Sequence, residues 1–426
     1  MSTALSNLPY ANLIKKVGIT GIAQVVIQLV GVISGILIIR YLSVEQYALY
    51  TIANSMLGTM TVFSDSGIST GLMAMGGKVY TDKVKLGGIL AIGLELRKKY
   101  AIYAVLLILP LTAYLVWQNS HSLIWSFTIP LAILPAFWVV LSMGLYEVVL
   151  KLHQEVMELQ KIQVSVSLLR LGIVSALVYF IPWAELVLVV HGIPQWIANR
   201  KMEKKVTAYA NQEIVIEDEI QKETRKEYRK LTSRILPGII YYAISGQIVV
   251  WVLSFSGEQV VTVGQLGAIG RLGALFSLVG TLAAVLVYPR FATLPSSKVE
   301  LSSFLLKSTL FLLFLHGLVI SLSYVTSSWL LAILGPEYLH LDKELVLFMI
   351  SSSVGQLAGH AYGFGSARGW IMPPTLNIGF NALAILLGLL LFKLDNIENA
   401  IFYTLFMGVA QFVLNGGYLI KKVVSV

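Results

Sequence analysis

Twelve long apolar stretches recur between about Val17 and Ile420, and nearly all basic residues fall in alternate gaps between them. A helix needs about 20 apolar residues to cross the hydrocarbon layer of a bilayer. Val17 to Ile39, Tyr100 to Trp117 and Phe304 to Val325 meet or approach that length. The pattern places spans near 17–39, 47–73, 100–117, 123–146, 162–181, 184–199, 237–255, 262–288, 304–326, 345–366, 371–392 and 399–420. Because 57% of the residues are hydrophobic and only 12% are charged, a water-soluble domain could not hide the apolar surface. The expectation is an all-α integral membrane protein of about twelve transmembrane helices.

The net charge of +9 reads as orientation and not as a nucleic-acid surface, since Lys and Arg near the inner ends of spans set topology. With the N-terminus on the cytoplasmic side, the inner gaps hold Lys15 and Lys16, Lys78 to Lys99, Lys151 and Lys161, Arg200 to Arg234, Arg290 to Lys307, Arg368, and Lys421 and Lys422. Arg40, Lys343 and Lys393 lie outside, and Arg170 and Arg271 lie within spans; the 31 basic residues divide as 26 inner, 3 outer and 2 intramembrane. Both termini are therefore expected in the cytoplasm, and the first span is expected to be retained. The chain has no cysteine, which removes disulfides and thiolate metal sites.

The outer gaps are short, and the one substantial soluble stretch, about Arg200 to Arg234, carries mixed charge and reads as an amphipathic linker. It divides the chain into an expected six-helix bundle over 1–200, a linker over 201–236 and a second six-helix bundle over 237–426. Ser43-Val44-Glu45-Gln46 and Ser256-Gly257-Glu258-Gln259 repeat one S-x-E-Q pattern, each after the first span of its half. An even number of spans per half returns the chain to the same face, so the halves are parallel repeats about a pseudo-twofold along the membrane normal. That is the architecture of transporters working by alternating access.

The same residues resemble a known group. R-Y-L-S-V-E-Q-Y-A-L-Y from Arg40 to Tyr50, D-S-G from Asp65 to Gly67, G-A-I-G-R-L from Gly267 to Leu272, Y-P-R from Tyr288 to Arg290 and L-G-P-E-Y from Leu334 to Tyr338 succeed one another along the chain. The series is similar to the polysaccharide-transporter branch of the superfamily uniting multidrug and toxin extrusion transporters with lipid-linked oligosaccharide flippases, most of all to Wzx-type O-antigen flippases. Ala48 departs from a position where the family often has Gly. The resemblance implies a MATE-like fold in a bacterial inner membrane. It also implies movement of an undecaprenyl-pyrophosphate-linked oligosaccharide to the outer leaflet, ahead of a polysaccharide polymerase or ligase. Its partners would be the polyprenyl-pyrophosphate-linked glycan and membrane lipids, with no cofactor beyond a proton or sodium gradient, and it would not be an enzyme.

The candidate residues follow from the physics of such a load. A pyrophosphate with sugars cannot cross hydrocarbon unaided, and a guanidinium meets two of its oxygens while keeping its charge. Arg170 and Arg271, near mid-depth, are candidates for charge in a cavity, and Arg40 and Arg290 for its mouths; the alternatives are structural arginines and snorkelling anchors. Asp65, near the inner end of the second span, could couple transport to an ion, balance an arginine or cap a turn. His316 and His360 could relay protons, although a lone bundle histidine is more often a packing residue. Glycines at 264, 267, 270 and 273 and at 355, 359 and 363 permit close helix packing.

Rival readings remain. A multidrug cation antiporter would need acidic groups in its cavity, a membrane glycosyltransferase or polymerase a long external loop, and a scaffold no duplication. The run Gly363 to Gly369 misses the dinucleotide fingerprint by one position and lies in a membrane hairpin, and no phosphate-binding G-x-x-x-x-G-K-S/T loop occurs.

Overall fold

A computed structural model describes residues 11–211, 218–255, 260–370 and 372–426, and among them every regular element is helical. Each apolar stretch of the sequence lies in helix, but several are broken where local chemistry demands it. The first stretch is α1 (Ala11–Tyr41). The second becomes α2 (Val44–Asp65) and α3 (Ile68–Val79), because Ser66 (φ 42°) and Gly67 (φ 83°) take left-handed backbone and end the first helix. Ser43 Oγ accepts the Gln46 amide and starts α2, while Gln46 Oε1 accepts the Ala184 amide at 2.9 Å and starts a later helix. The first S-x-E-Q is thus a double helix cap; the second, at 256–259, lies outside the described residues.

Helix α4 (Lys83–Ser120) runs for 38 residues, about 57 Å, so the basic segment before Tyr100 continues a membrane helix. Asp82 caps it, accepting from the amides of Val84 and Lys85 at 3.1 Å each, and these bonds hold its carboxyl below the ordinary value. The fourth stretch divides at Ile133 into α5 (Leu123–Ala132) and α6 (Leu134–Leu152). Then follow α7 (Val156–Phe180) and α8 (Ala184–Val206), the latter unbroken through Pro194. The expected linker ends inside α9 (Asp218–Ser245), one helix passing from charged to apolar sequence, followed by α10 (Ile248–Phe255).

The eighth stretch is the most interrupted: α11 (Val260–Leu272), α12 (Leu275–Leu282), a π-helical turn (Ala283–Val287) and α13 (Tyr288–Thr293). Next come α14 (Lys298–Val325), α15 (Ser327–Leu334), a 3-10 turn (Pro336–Tyr338), α16 (Asp342–Ala367), α17 (Pro374–Leu391) and α18 (Ile397–Val424).

Among the described residues, eight segments are long and apolar enough to cross a membrane. The other four stretches are helical but broken or polar: α2 and α3 by their left-handed junction, α8 by its charged last turns, α9 and α10 by division, and α16 by Ser351, Ser353, Gln356 and His360. On α14, Leu306, Leu310, Phe311, Phe314, Leu318 and Leu322 are all exposed, as lipid-facing residues are in a protein whose surrounding solvent is hydrocarbon. The chain is a multi-pass membrane protein.

Contacts divide it into two compact units, one of Met1–Ser34 with Tyr41–Val260 and one of Gly35–Arg40 with Val261–Val426. In the first, Leu72, Leu90, Val149 and Met202 form a core with Tyr228 of α9. Asn119 Nδ2 donates to the Ser254 carbonyl at 2.8 Å, tying α10 to α4 in this unit. In the second, Phe291, Leu301, Leu312, Phe364 and Val423 form the core.

Candidate functional site

The second unit buries a polar chain in its apolar interior. His316 and His360 are 1% and 3% exposed, and their Nε2 atoms face each other at 3.3 Å. Beyond them, His316 Nδ1 meets Ser353 Oγ at 2.9 Å and His360 Nδ1 meets Tyr288 Oη at 2.7 Å. Each histidine stands alone on its own helix in the sequence, and packing of α14 against α16 makes them a pair, 44 positions apart in the chain. No periodicity within one helix could reveal that. Phe276 lies 4.9 Å from the His316 ring, and Tyr288 opens α13 directly after the π-helical turn, an irregularity that recurs at functional positions.

Two hydrogen arrangements satisfy the chain when both imidazoles are neutral. In one, Ser353 donates to His316, His316 to His360, and His360 to Tyr288. In the other, every donor reverses. A proton entering one end and leaving the other would convert the first arrangement into the second, so the four side chains have the connectivity of a proton wire. His360 also lines a largely apolar cavity of about 340 Å³ among α14, α16 and α18.

In the first unit, Asp65 Oδ1 accepts from Ser69 Oγ at 2.5 Å and from the Ser69 amide at 3.3 Å, and it lies 3.4 Å from Arg97 Nη2. The charge pattern assigned Arg97 to a solvated inner gap; instead it is 3% exposed, because α4 continues as helix and turns this position inward. Its guanidinium lies against Gly144, where an added Cβ would come 2.8 Å from Nη1. Among the described residues, Arg97 Nε and Nη1 have no hydrogen-bond partner. Nearby on α6, Glu147 accepts from Lys151 at 3.2 Å and from Gln163 at 3.3 Å. The carboxylate of Asp65 is thus engaged by a cation that belongs, by linear charge pattern, to the solvated gap.

The remaining candidate arginines lie on four different helices. Within the first unit, Arg170 Nη2 lies 3.8 Å from the place of a Cβ on Gly31; within the second, a Cβ on Gly35 would lie 3.2 Å from Arg271 Cδ. Both glycines belong to α1, and their missing side chains make room for the guanidinium arms. Arg271 ends α11 at the break before α12. Arg40 is exposed in the last turn of α1 and Arg290 is exposed on α13.

Several glycines serve static packing. A Cβ on Gly273 would meet Phe348 at 2.9 Å, one on Gly408 would meet the Gly355 amide nitrogen at 3.2 Å, and one on Gly363 would meet the Tyr288 ring. The Gly363 to Gly369 hairpin anchors α13, since Arg368 Nη1 donates to the carbonyls of Phe291 and Leu294 at 2.9 and 3.0 Å. Among the described residues no His, Asp or Glu cluster could hold a metal ion.

No protein-family model matches the sequence, nor does any curated protein. Solved structures do. An inward-facing multidrug resistance MATE family transporter of the MOP superfamily superposes with a TM-score of 0.71 at 10% identity, over 94% of this chain and 95% of its own. The lipid II flippase MurJ in an inward closed conformation gives 0.72 at 13% identity, over 95% and 87%. The eukaryotic MATE transporter AtDTX14 gives 0.61 at 13% identity, over 98% of each chain. The chain therefore has the MATE-like transporter fold.

Proposed function

We propose that this protein is a flippase that moves a polyprenyl-pyrophosphate-linked oligosaccharide between leaflets by alternating access, through two six-helix bundles flanking the 201–236 segment. The observation that carries this reading is the charge balance inside the membrane. Asp65, the intramembrane acid read from the sequence, is already paired with Arg97, while Arg170 and Arg271 add two further cations within spans. A cation antiporter needs the opposite balance. The likeness to both MATE transporters and the lipid II flippase supports the transport class and is compatible with a lipid-linked load.

In this reading Arg170 and Arg271 meet the pyrophosphate, each able to bond two oxygens, and Arg40 and Arg290 draw the anion toward the mouths. The prenyl chain remains in lipid. The His316–His360 wire couples the cycle to protons, and Asp65 is the alternative coupling group. A glycan polymerase or ligase would consume the product.

The test is reconstitution in vesicles with undecaprenyl-pyrophosphate oligosaccharide, reading its arrival in the opposite leaflet. Arg170→Ala and Arg271→Ala should lower the rate more than the corresponding Lys variants, since Lys keeps charge but not the fork. Wild-type rates from both Ala variants at equal protein would overturn the assignment, and export of an organic cation with no lipid movement would favour the antiporter.

A further inference from the structure

Between α12 to α13 on one side and α14 on the other, the second unit holds a groove of about 510 Å³. Its α14 wall includes Phe304, Lys307, Phe311 and Leu315, spaced at 3 and 4 residues and so sharing one helix face, with Ser308 beside them. Its opposite wall runs from Arg290 back through the π-helical turn to Leu282 and Val279. The two walls are antiparallel: the Phe291 and Phe304 rings stack 5.9 Å apart near the 294–297 connection. Arg290 and Lys307 therefore mark one end, and Val279 and Leu315 the other.

The chemistry is that of an amphiphile. Among the described residues, the two charged groups lining the groove are both basic and no acid lines it, while the wall beyond them is almost wholly apolar for about 12 Å, the rise from Lys307 to Leu315. Lys307 is exposed and makes no hydrogen bond or ion pair among the described residues. Because α14 faces lipid, its groove is filled by hydrocarbon in any case; the cations select what that hydrocarbon carries. Basic pockets between membrane helices bind anionic head groups, at about 1 kcal/mol per Lys or Arg near the surface.

We infer that the groove holds one acyl chain of an anionic phospholipid, with the phosphate at Arg290 and Lys307. This site shares Arg290 with the proposed transport path but neither intramembrane arginine, and it holds whether or not the transport reading does. It places a resident lipid on the π-helical turn that leads into Tyr288, so occupancy is positioned to bear on the histidine wire.

The experiment uses the full-length protein in detergent with equimolar phosphatidylglycerol and phosphatidylcholine of identical chains, reading retained lipid by native mass spectrometry. Phosphatidylglycerol should be retained about 25-fold over phosphatidylcholine, about fivefold for each of the two cations. Lys307→Gln and Arg290→Gln should each weaken retention about fivefold, and Ser308→Trp, which fills the groove, should abolish it. Lys298→Gln, on the same helix but outside the groove, should change nothing. Equal retention of both lipids, or undiminished retention by Lys307→Gln and Ser308→Trp, would overturn the inference. Displacement by millimolar inorganic phosphate would reduce the site to a free-anion site, and retention of undecaprenyl phosphate but not phosphatidylglycerol would assign the groove to the carrier lipid; either result rejects the phospholipid. Since binding is read without transport, failure of the flippase reading leaves this result interpretable.

Discussion

Arg97 Nη2 lies 3.4 Å from Asp65 Oδ1, and this ion pair joins the middle of α4 to the left-handed break between α2 and α3. Arg97 is almost wholly buried, while the Asp65 side chain keeps 25% of its exposure. Removing one member of such a pair leaves the other uncompensated, which costs about 3–5 kcal/mol when both are buried and less here because Asp65 is partly wet.

Thermal unfolding in detergent should therefore show non-additivity. Asp65→Asn and Arg97→Met should each destabilise, and the double variant should be more stable than the sum of the two losses implies, by about 1–3 kcal/mol. Simple addition of the two losses would mean that the pair contributes nothing as a pair.

Tyr228 offers a packing test. It is fully buried, donates to the Ile89 carbonyl at 3.2 Å, and sits where a Cβ on Gly71 would come within 2.8 Å of its ring. Tyr228→Phe should cost about 1 kcal/mol through the lost bond, and Tyr228→Ala about 3–5 kcal/mol through the cavity. Gly71→Leu should resemble the latter, and the same unfolding assay ranks all three.

The expectation of all-helical, multi-span architecture could be read from the sequence because apolar length and charge alternation are properties of single segments. So could the double cap at Ser43 and Gln46 as a repeated motif, though not its partner Ala184. Tertiary pairs were not legible. Arg97 sits in a run with Lys98 and Lys99, and linear charge counting places all three in water; only the continuation of α4 as helix rotates one of them inward. His316 and His360 likewise become a pair through the packing of α14 on α16. Tyr228 lies among Lys and Arg residues and gave no apolar signal, yet its ring fills the space that Gly71 and Gly93 leave.

The cap on α4 has a pH signature. Amide bonds lower the folded-state value of Asp82, so its contribution is present above the unfolded carboxyl value of about 3.9 and is lost as pH falls through the folded one. Asp82→Asn keeps the cap and removes the titration. Its stability between pH 5 and pH 2 should fall less steeply than that of the natural protein, and identical slopes would contradict the assignment.

The basic gaps predict an orientation that reporters can test. A cytoplasmically active reporter should work after Lys205 or Lys422, and an externally active one after Asn119 or Asp342. External activity after Lys205 would leave the first half with an odd number of crossings and would sink the parallel-repeat arrangement.

The histidine wire makes the sharpest separation between coupling and structure. A proton can traverse Ser353, His316, His360 and Tyr288 only if each imidazole can accept at one nitrogen while donating at the other. His360→Asn retains hydrogen bonding near the pair but cannot exchange a proton at neutral pH, so it should abolish the response of transport to an imposed proton gradient while leaving lipid-linked substrate binding intact. Tyr288→Phe removes the terminal hydroxyl and should weaken the response without eliminating it. Asp65→Asn provides the contrast: with its carboxylate engaged by Arg97 and Ser69, it should lower stability yet keep gradient dependence in the protein that remains folded. The readout is flux in vesicles with and without the gradient, normalised to folded protein. Full gradient dependence in His360→Asn together with its loss in Asp65→Asn would move coupling to the first unit and leave the buried histidines as hydrogen-bonded packing.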